Sequence, residues 1–305
     1  MVFTSPNYRQ GVFLVLFAGV CWSTMGLGIR FIEVANVWQI LFYRSISLTP
    51  FLFFIIYTRF AENPLSAIRN AGIAGIIGGY GLVFAFAGGI FAIQTTSVAN
   101  AVFLFAAAPF FAAFLGWVIL REAVRPATWI ASTVAIMGIS IMVWEGFSVG
   151  QITGNLSALT SALGFAVFTV TLRWRKLEDT IPTVFLGALF AIIISAAVCY
   201  FAEYTLAIPV NDILIAFSLG IFQVGTGLVL YSIGSKSVPA AELALLSMTE
   251  VVLAPIWVWI VLEETVGIYT LLGGSVLLIA IAGNAISGLR RKPAPIRYSG
   301  SNLEL

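Results

Sequence analysis

The chain of 305 residues is 60% hydrophobic and only 9% charged, with a formal net charge of +2. Soluble domains carry roughly a quarter charged residues, so the composition excludes a water-soluble globule, and no basic face is present for nucleic acid. There is no histidine, and Cys21 and Cys199 fall in apolar stretches where packing is their expected role, so no metal site is expected.

Apolar stretches of about 20 residues, the length needed to cross the hydrocarbon, occupy 11–32, 38–57, 71–92, 98–119, 128–145, 154–173, 182–202, 212–233, 239–261 and 266–288. The first outruns the roughly 7–15-residue apolar core of a secretory signal, so it reads as a retained span. Backbone groups in lipid must pair internally and no strand-like alternation appears, so all ten are predicted helices. The fold class is an all-α membrane protein, one transmembrane domain over 1–292. The polar tail 293–305 is expected to be disordered, and its closing SGSNLEL reads as an expression scar without a function.

With these spans, Arg9, Arg59, Arg69, Arg121, Arg125, Arg173, Arg175, Lys176, Lys236, Arg290, Arg291, Lys292 and Arg297 fall in even-numbered gaps or at the ends. Only Arg30 lies in an odd gap and Arg44 inside a span, so thirteen of fifteen cations share one side. The positive-inside rule makes that side, with both termini, cytoplasmic.

The sequence also repeats. QTTSVANA (94–101) aligns with GSKSVPAA (234–241), and GWVILRE (116–122) with VWIVLEE (258–264), matching Trp117 to Trp259 and Glu122 to Glu264. Arg30 pairs with Arg173 and Tyr57 with Tyr200 in the same order. The halves are 11–145 and 154–288. Each holds five helices, an odd number, so the second enters the membrane from the opposite side. Inverted repeats of this kind place a shared substrate site near the midplane.

At these residues the chain resembles the drug/metabolite transporter (DMT) superfamily, EamA type. The resemblance rests on AGVCWSTMG (18–26), Arg44 in the second span, AAAPFFAAFLGWVILRE (106–122) and its counterpart MTEVVLAPIWVWIVLEE (248–264). Within the superfamily the chain looks closest to YddG-type exporters of aromatic and other amino acids. The resemblance implies two inverted five-helix repeats around a central cavity lined by helices 1, 3, 4, 6, 8 and 9. It also implies export of small metabolites. Small multidrug relatives carry a glutamate in the first helix. This first span has no acid, which argues against cationic-drug antiport by that route.

Glu250 lies near the middle of span 9, where an acid costs roughly 2.5–3.5 kcal/mol on insertion scales. It is a candidate for a substrate ammonium or a coupling proton, or else a partner of Arg44 or the Thr249 hydroxyl. Arg44 itself either snorkels to the interface or meets a substrate carboxylate. Pro109 and Pro255 interrupt spans 4 and 9 and are candidate hinges, or static kinks. Trp22, Tyr80, Phe84 and Phe165 lie deep in spans that the resemblance assigns to the cavity wall. With Ser23, Asn100, Gln223 and Thr226 they would suit an amphiphilic solute; otherwise they face lipid or neighbouring helices. Glu122 and Glu264 end equivalent helices on opposite faces, as interface anchors or gate contacts.

No phosphate loop, metal-spaced cluster or nucleophile–base pair occurs, so the protein is read as neither an enzyme nor a cofactor binder. The expectation is a monomeric inner-membrane secondary transporter. It would export aromatic and other apolar amino acids by alternating access. The alternatives are export of a drug, nucleoside or sugar derivative, or a scaffold or receptor without flux.

Overall fold

The structure, a computed structural model, describes residues 6–59, 64–148, 150–177 and 179–289. The expected tail 293–305 and Arg290–Lys292 lie outside them. Among the described residues, ten helices are long and apolar enough to cross a membrane: span 1 Tyr8–Arg30, span 2 Val37–Thr58, span 3 Gly72–Thr95, span 4 Val98–Leu120 and span 5 Pro126–Trp144. The second five are span 6 Ile152–Trp174, span 7 Ile181–Phe201, span 8 Val210–Gly234, span 9 Glu242–Leu262 and span 10 Ile268–Gly288. Among the described residues there is no strand.

The packing repeats with the sequence. Span 3 lies on span 6 as span 8 lies on span 1; span 4 meets span 6 as span 9 meets span 1; spans 2 and 7, and spans 5 and 10, pair across the repeats. Lipid offers no hydrophobic drive between helices, so small residues must let backbones approach. They do so in equivalent helix pairs. A Cβ at Gly81 would lie 2.8 Å from the Gly164 oxygen, and one at Gly11 would lie 2.9 Å from the Gly234 oxygen. Gly79, in the GxxxG of span 3, closes on Gly187 of span 7, and Gly220 of span 8 closes on Arg44 of span 2. Five spans per repeat make equivalent helices antiparallel.

One span in each of three symmetry-related pairs is irregular. Span 1 breaks at Thr24, span 4 turns at Ala106 and Ala107 just before Pro109, and span 8 is a π-helix over Leu219–Thr226. Their mates in spans 6, 9 and 3 run unbroken. Pro109 therefore starts a new helical segment, whereas Pro255 sits inside a continuous helix.

The largest apolar core gathers Ile29, Ile40, Ile90, Ile93, Leu104 and Val258. All belong to the bundle half that carries Arg30 and Glu264, called the far half below. The half that carries Tyr8 and Gly288 is the near half.

Candidate functional site

The far half is closed by a carboxylate–guanidinium clasp between the repeats. Arg30 Nε donates to Glu264 Oε2 at 2.9 Å, and its Nη2 donates to Oε1 at 3.3 Å. The same Nη2 donates to the Thr96 carbonyl at 2.8 Å, while the Val98 N–H donates to Glu264 Oε1 at 2.7 Å. Glu264 thus holds an arginine edge-on and also neutralises the N-terminus of span 4. Behind it, Asn100 Nδ2 donates to Thr96 Oγ1 and to Asn155 Oδ1, and Thr96 Oγ1 donates to Gln151 Oε1. Asp212 accepts the N–H groups of Glu33, Val34 and Ala35, fastening span 8 to the turn after span 1.

The near half carries the symmetry mate of the clasp. Spans 4 and 9 both end in a left-handed residue, Arg121 at φ 54° and Glu263 at φ 54°. A six-residue backbone bond follows each, from Glu122 N to Gly116 O and from Glu264 N to Val258 O. That turn costs about 1–2 kcal/mol for a residue with a side chain, and in both repeats it aims a glutamate at the other repeat. Arg173 Nη1 donates to Glu122 Oε2 at 2.8 Å, and Nη2 to the Ala112 carbonyl at 2.9 Å. Here the clasp stops. Glu122 makes no bond to Val238, the mate of Val98, and the side chains of Arg173 and Glu122 are 41% and 40% accessible, against 26% and 21% at the far clasp.

Burial follows the same split. Residues 98–104 of span 4 are all buried, whereas of their described mates Val238 is buried but Glu242, Leu243 and Ala244 are not. The runs 242–250 in span 9 and 228–233 in span 8 hold no buried residue. Span 6 behaves likewise: on its inner side Gly154, Ala158 and Ser161 are buried in the far half, while Phe165, Thr169 and Leu172 are accessible in the near half. In these spans the near half is thus the more loosely packed end and the far half, with its clasp, the more tightly buried one. A surface hollow of about 600 Å³, lined by Trp117, Arg121, Glu122 and Trp129, lies beside the near ion pair and apart from the midplane.

Several candidate residues meet where spans 1, 8 and 9 cross. The Trp22 indole rests on Gly227 and tilts over Tyr231, with centroids 5.3 Å apart. Ser23 is buried and accepts from Trp257 Nε1 at 2.8 Å, tying span 1 to span 9. Gln223 shares the span-1-facing stripe of the π-helix with Leu219 and Gly227, and its buried Oε1 has no hydrogen-bond partner. The backbone N of Glu250 lies 3.5 Å from where a Cβ at Gly19 would sit. The Glu250 carboxylate makes no hydrogen bond or ion pair with a described residue. The alternatives of an Arg44 pair or a Thr249 bond are therefore not formed. Thr226 Oγ1 is spent inside span 8 on the Ile221 carbonyl.

Other candidates lie elsewhere. Asn100 belongs to the far seal. Tyr80 stacks on Phe190 with centroids 4.8 Å apart. Tyr80 and Phe84 share a stripe with Ile73, Ile77 and Phe91 that is accessible through both halves, as expected of a face turned to lipid. Phe165, 47% accessible, lies on the inner stripe of span 6 in the near half.

A sequence profile for the EamA-like transporter family matches residues 9–144 and again 152–286. The chain belongs to the EamA-like transporter family. Its double match falls on the two sets of five spans. A solved crystal structure, 18% identical, covers 94% of this EamA chain with all of its own length and superposes with a TM-score of 0.66. That likeness concerns the fold. Comparison with curated protein sequences gives no match.

Proposed function

We propose that this EamA protein is an alternating-access secondary transporter of small amphiphilic metabolites, with aromatic and other apolar amino acids as its cargo. One observation carries the reading: equivalent parts of the two repeats are clasped and buried at the far end and less buried, with a more accessible ion pair, at the near end. Exchanging the two arrangements would close the near end and open the far end around the same midplane residues. Trp22 and Phe165 would bound the cargo's apolar part. Gln223 Oε1 and the Glu250 carboxylate, both acceptors without a partner, would take its ammonium group, and Ser23 would position Trp257 beside them. Asn100 would act by holding the far seal. Tyr80 and Phe84, on the outward stripe of span 3, are left out of the cargo site. The hinges would be the break before Pro109 and the proline position Pro255 within span 9.

The sorting of thirteen of fifteen cations to one side in the sequence supports a cytoplasmic near face, with both termini inside and a vestibule loaded from the cytoplasm for export across an inner membrane. Counterflow of labelled phenylalanine in proteoliposomes tests the proposal. Saturable exchange is expected. Flux of nucleosides or sugar derivatives alone would replace the cargo, and no flux for any solute would leave a scaffold.

A further inference from the structure

We infer that Arg44 is the receptor for a carboxylate on the transported solute, which deepens the proposed function and rests on it. Arg44 lies in the far part of span 2, 1% accessible, with its Cζ 4.5 Å from the centre of the Phe86 ring on span 3. Two of its nitrogens, Nε and Nη2, are buried and have no acceptor among the described residues. A guanidinium stays charged at any physiological pH. A ring face offsets only part of the cost of keeping it from water.

Arg30 shows what that edge of a guanidinium does in this protein. Its Nε and Nη2 are the two atoms that grip Glu264. The corresponding edge of Arg44 is built for the same group, and no side chain of the described structure supplies it. The described acids nearest in depth are used elsewhere or face other spans. Asp212 is committed to three backbone N–H groups, Glu264 to Arg30, and Glu250 lies against span 1.

Position supports a substrate role over a structural one. Gly220, at the start of the π-helix, packs on the Arg44 carbonyl, so the arginine is seated beside the irregular segment that also carries Gln223. π-Helical turns occur often at functional sites. The repeat sharpens this. The mate of Arg44 is Gly187, and the equivalent contact, Gly79 with Gly187, closes without any charge. Packing at this crossing therefore does not need an arginine. A cargo with a cationic and an anionic end would have its ammonium at the Gln223 and Glu250 acceptors and its carboxylate on Arg44, loaded as spans 2, 3 and 8 shift.

The test compares phenylalanine with phenethylamine, which lacks only the carboxylate, in wild type and Arg44→Gln. Two readouts are used: inhibition of phenylalanine counterflow in proteoliposomes, and ligand-induced thermal stabilisation of detergent-purified protein. Wild type should prefer phenylalanine by about ten- to a hundredfold, the worth of a charge-assisted pair. Arg44→Gln should erase that preference while still binding the amine. Equal response of wild type to both compounds would overturn the inference and leave transport intact. So would a variant that weakens both compounds equally. Stabilisation that discriminates without any flux would retain Arg44 as a receptor and remove the transporter. No stabilisation and no flux would remove both. If Arg44→Gln does not fold, the wild-type preference alone decides.

Discussion

Residues 98–104 of span 4 and residues 242–250 of span 9 lie in the starting halves of equivalent helices, yet the first are all buried and none of the second is. The difference is not one of hydropathy, since both helices qualify as spans. It lies in what meets each helix start. Glu264 reaches the N-terminus of span 4 and Arg30 secures it, whereas Glu122 is held by Arg173 away from span 9. A symmetric sequence has thus adopted an asymmetric state. Two polar clasps, one complete and one partial, separate its ends.

Glu264→Gln should have the largest effect. It removes charge-assisted bonds from Arg30 and from the Val98 N–H, each worth about 1.5–3 kcal/mol, and should shift the balance of states more than about a hundredfold. Counterflow should collapse. The swap Arg30→Glu with Glu264→Arg should not restore it, because the Val98 N–H still needs an acceptor and the Thr96 carbonyl still needs a donor. Rescue by the swap would reduce the clasp to a simple charge pair.

Thiol labelling measures the same split. In a background with Cys21 and Cys199 replaced, Thr169→Cys should react with a membrane-impermeant reagent from the near face. Phe103→Cys should react at least about a hundredfold more slowly, as for a 1:99 equilibrium of states. Adding Glu264→Gln should raise the Phe103→Cys rate. Equal rates at the start would break the comparison.

Gly227→Ala should be milder. Its Cβ would strike the Trp22 indole, costing about 1–3 kcal/mol by overpacking, seen as a lowered Tm and relieved by Trp22→Ala. An unchanged Tm would mean that the indole does not rest there. Glu122→Gln should be smallest. An accessible ion pair is worth about 0.2–1 kcal/mol, so counterflow should change less than about fivefold. A loss matching that of Glu264→Gln would make the clasps equal.

The spans were readable because bilayer thickness fixes helix length, and each expected stretch overlaps an observed helix with ends a few residues apart. The ion pairs were nearly readable. The repeat that sets Arg30 against Arg173 and Glu122 against Glu264 implies that each arginine can meet the other repeat's glutamate only where the spans end on one face. Asn155, Gln151 and Asp212 were missed, since a buried polar network depends on three-dimensional neighbours that no spacing encodes. The break at Thr24 and the π-helix at Leu219–Thr226 leave no signal beyond nearby glycines. Tyr80 and Phe165 look alike in sequence, both aromatic and deep in a span. Only packing separates the outward stripe of one from the inner wall of the other.

Paired spin-label distances test the central claim most directly. Labels at Val118 and Ala244 report the near ends of spans 4 and 9, and labels at Phe91 and Ile260 report the far ends of spans 3 and 9. Across the transport cycle, driven by saturating phenylalanine, the near distance should shorten in the population whose far distance lengthens. Both distances moving together, or neither moving while counterflow proceeds, would contradict an exchange of open and closed ends.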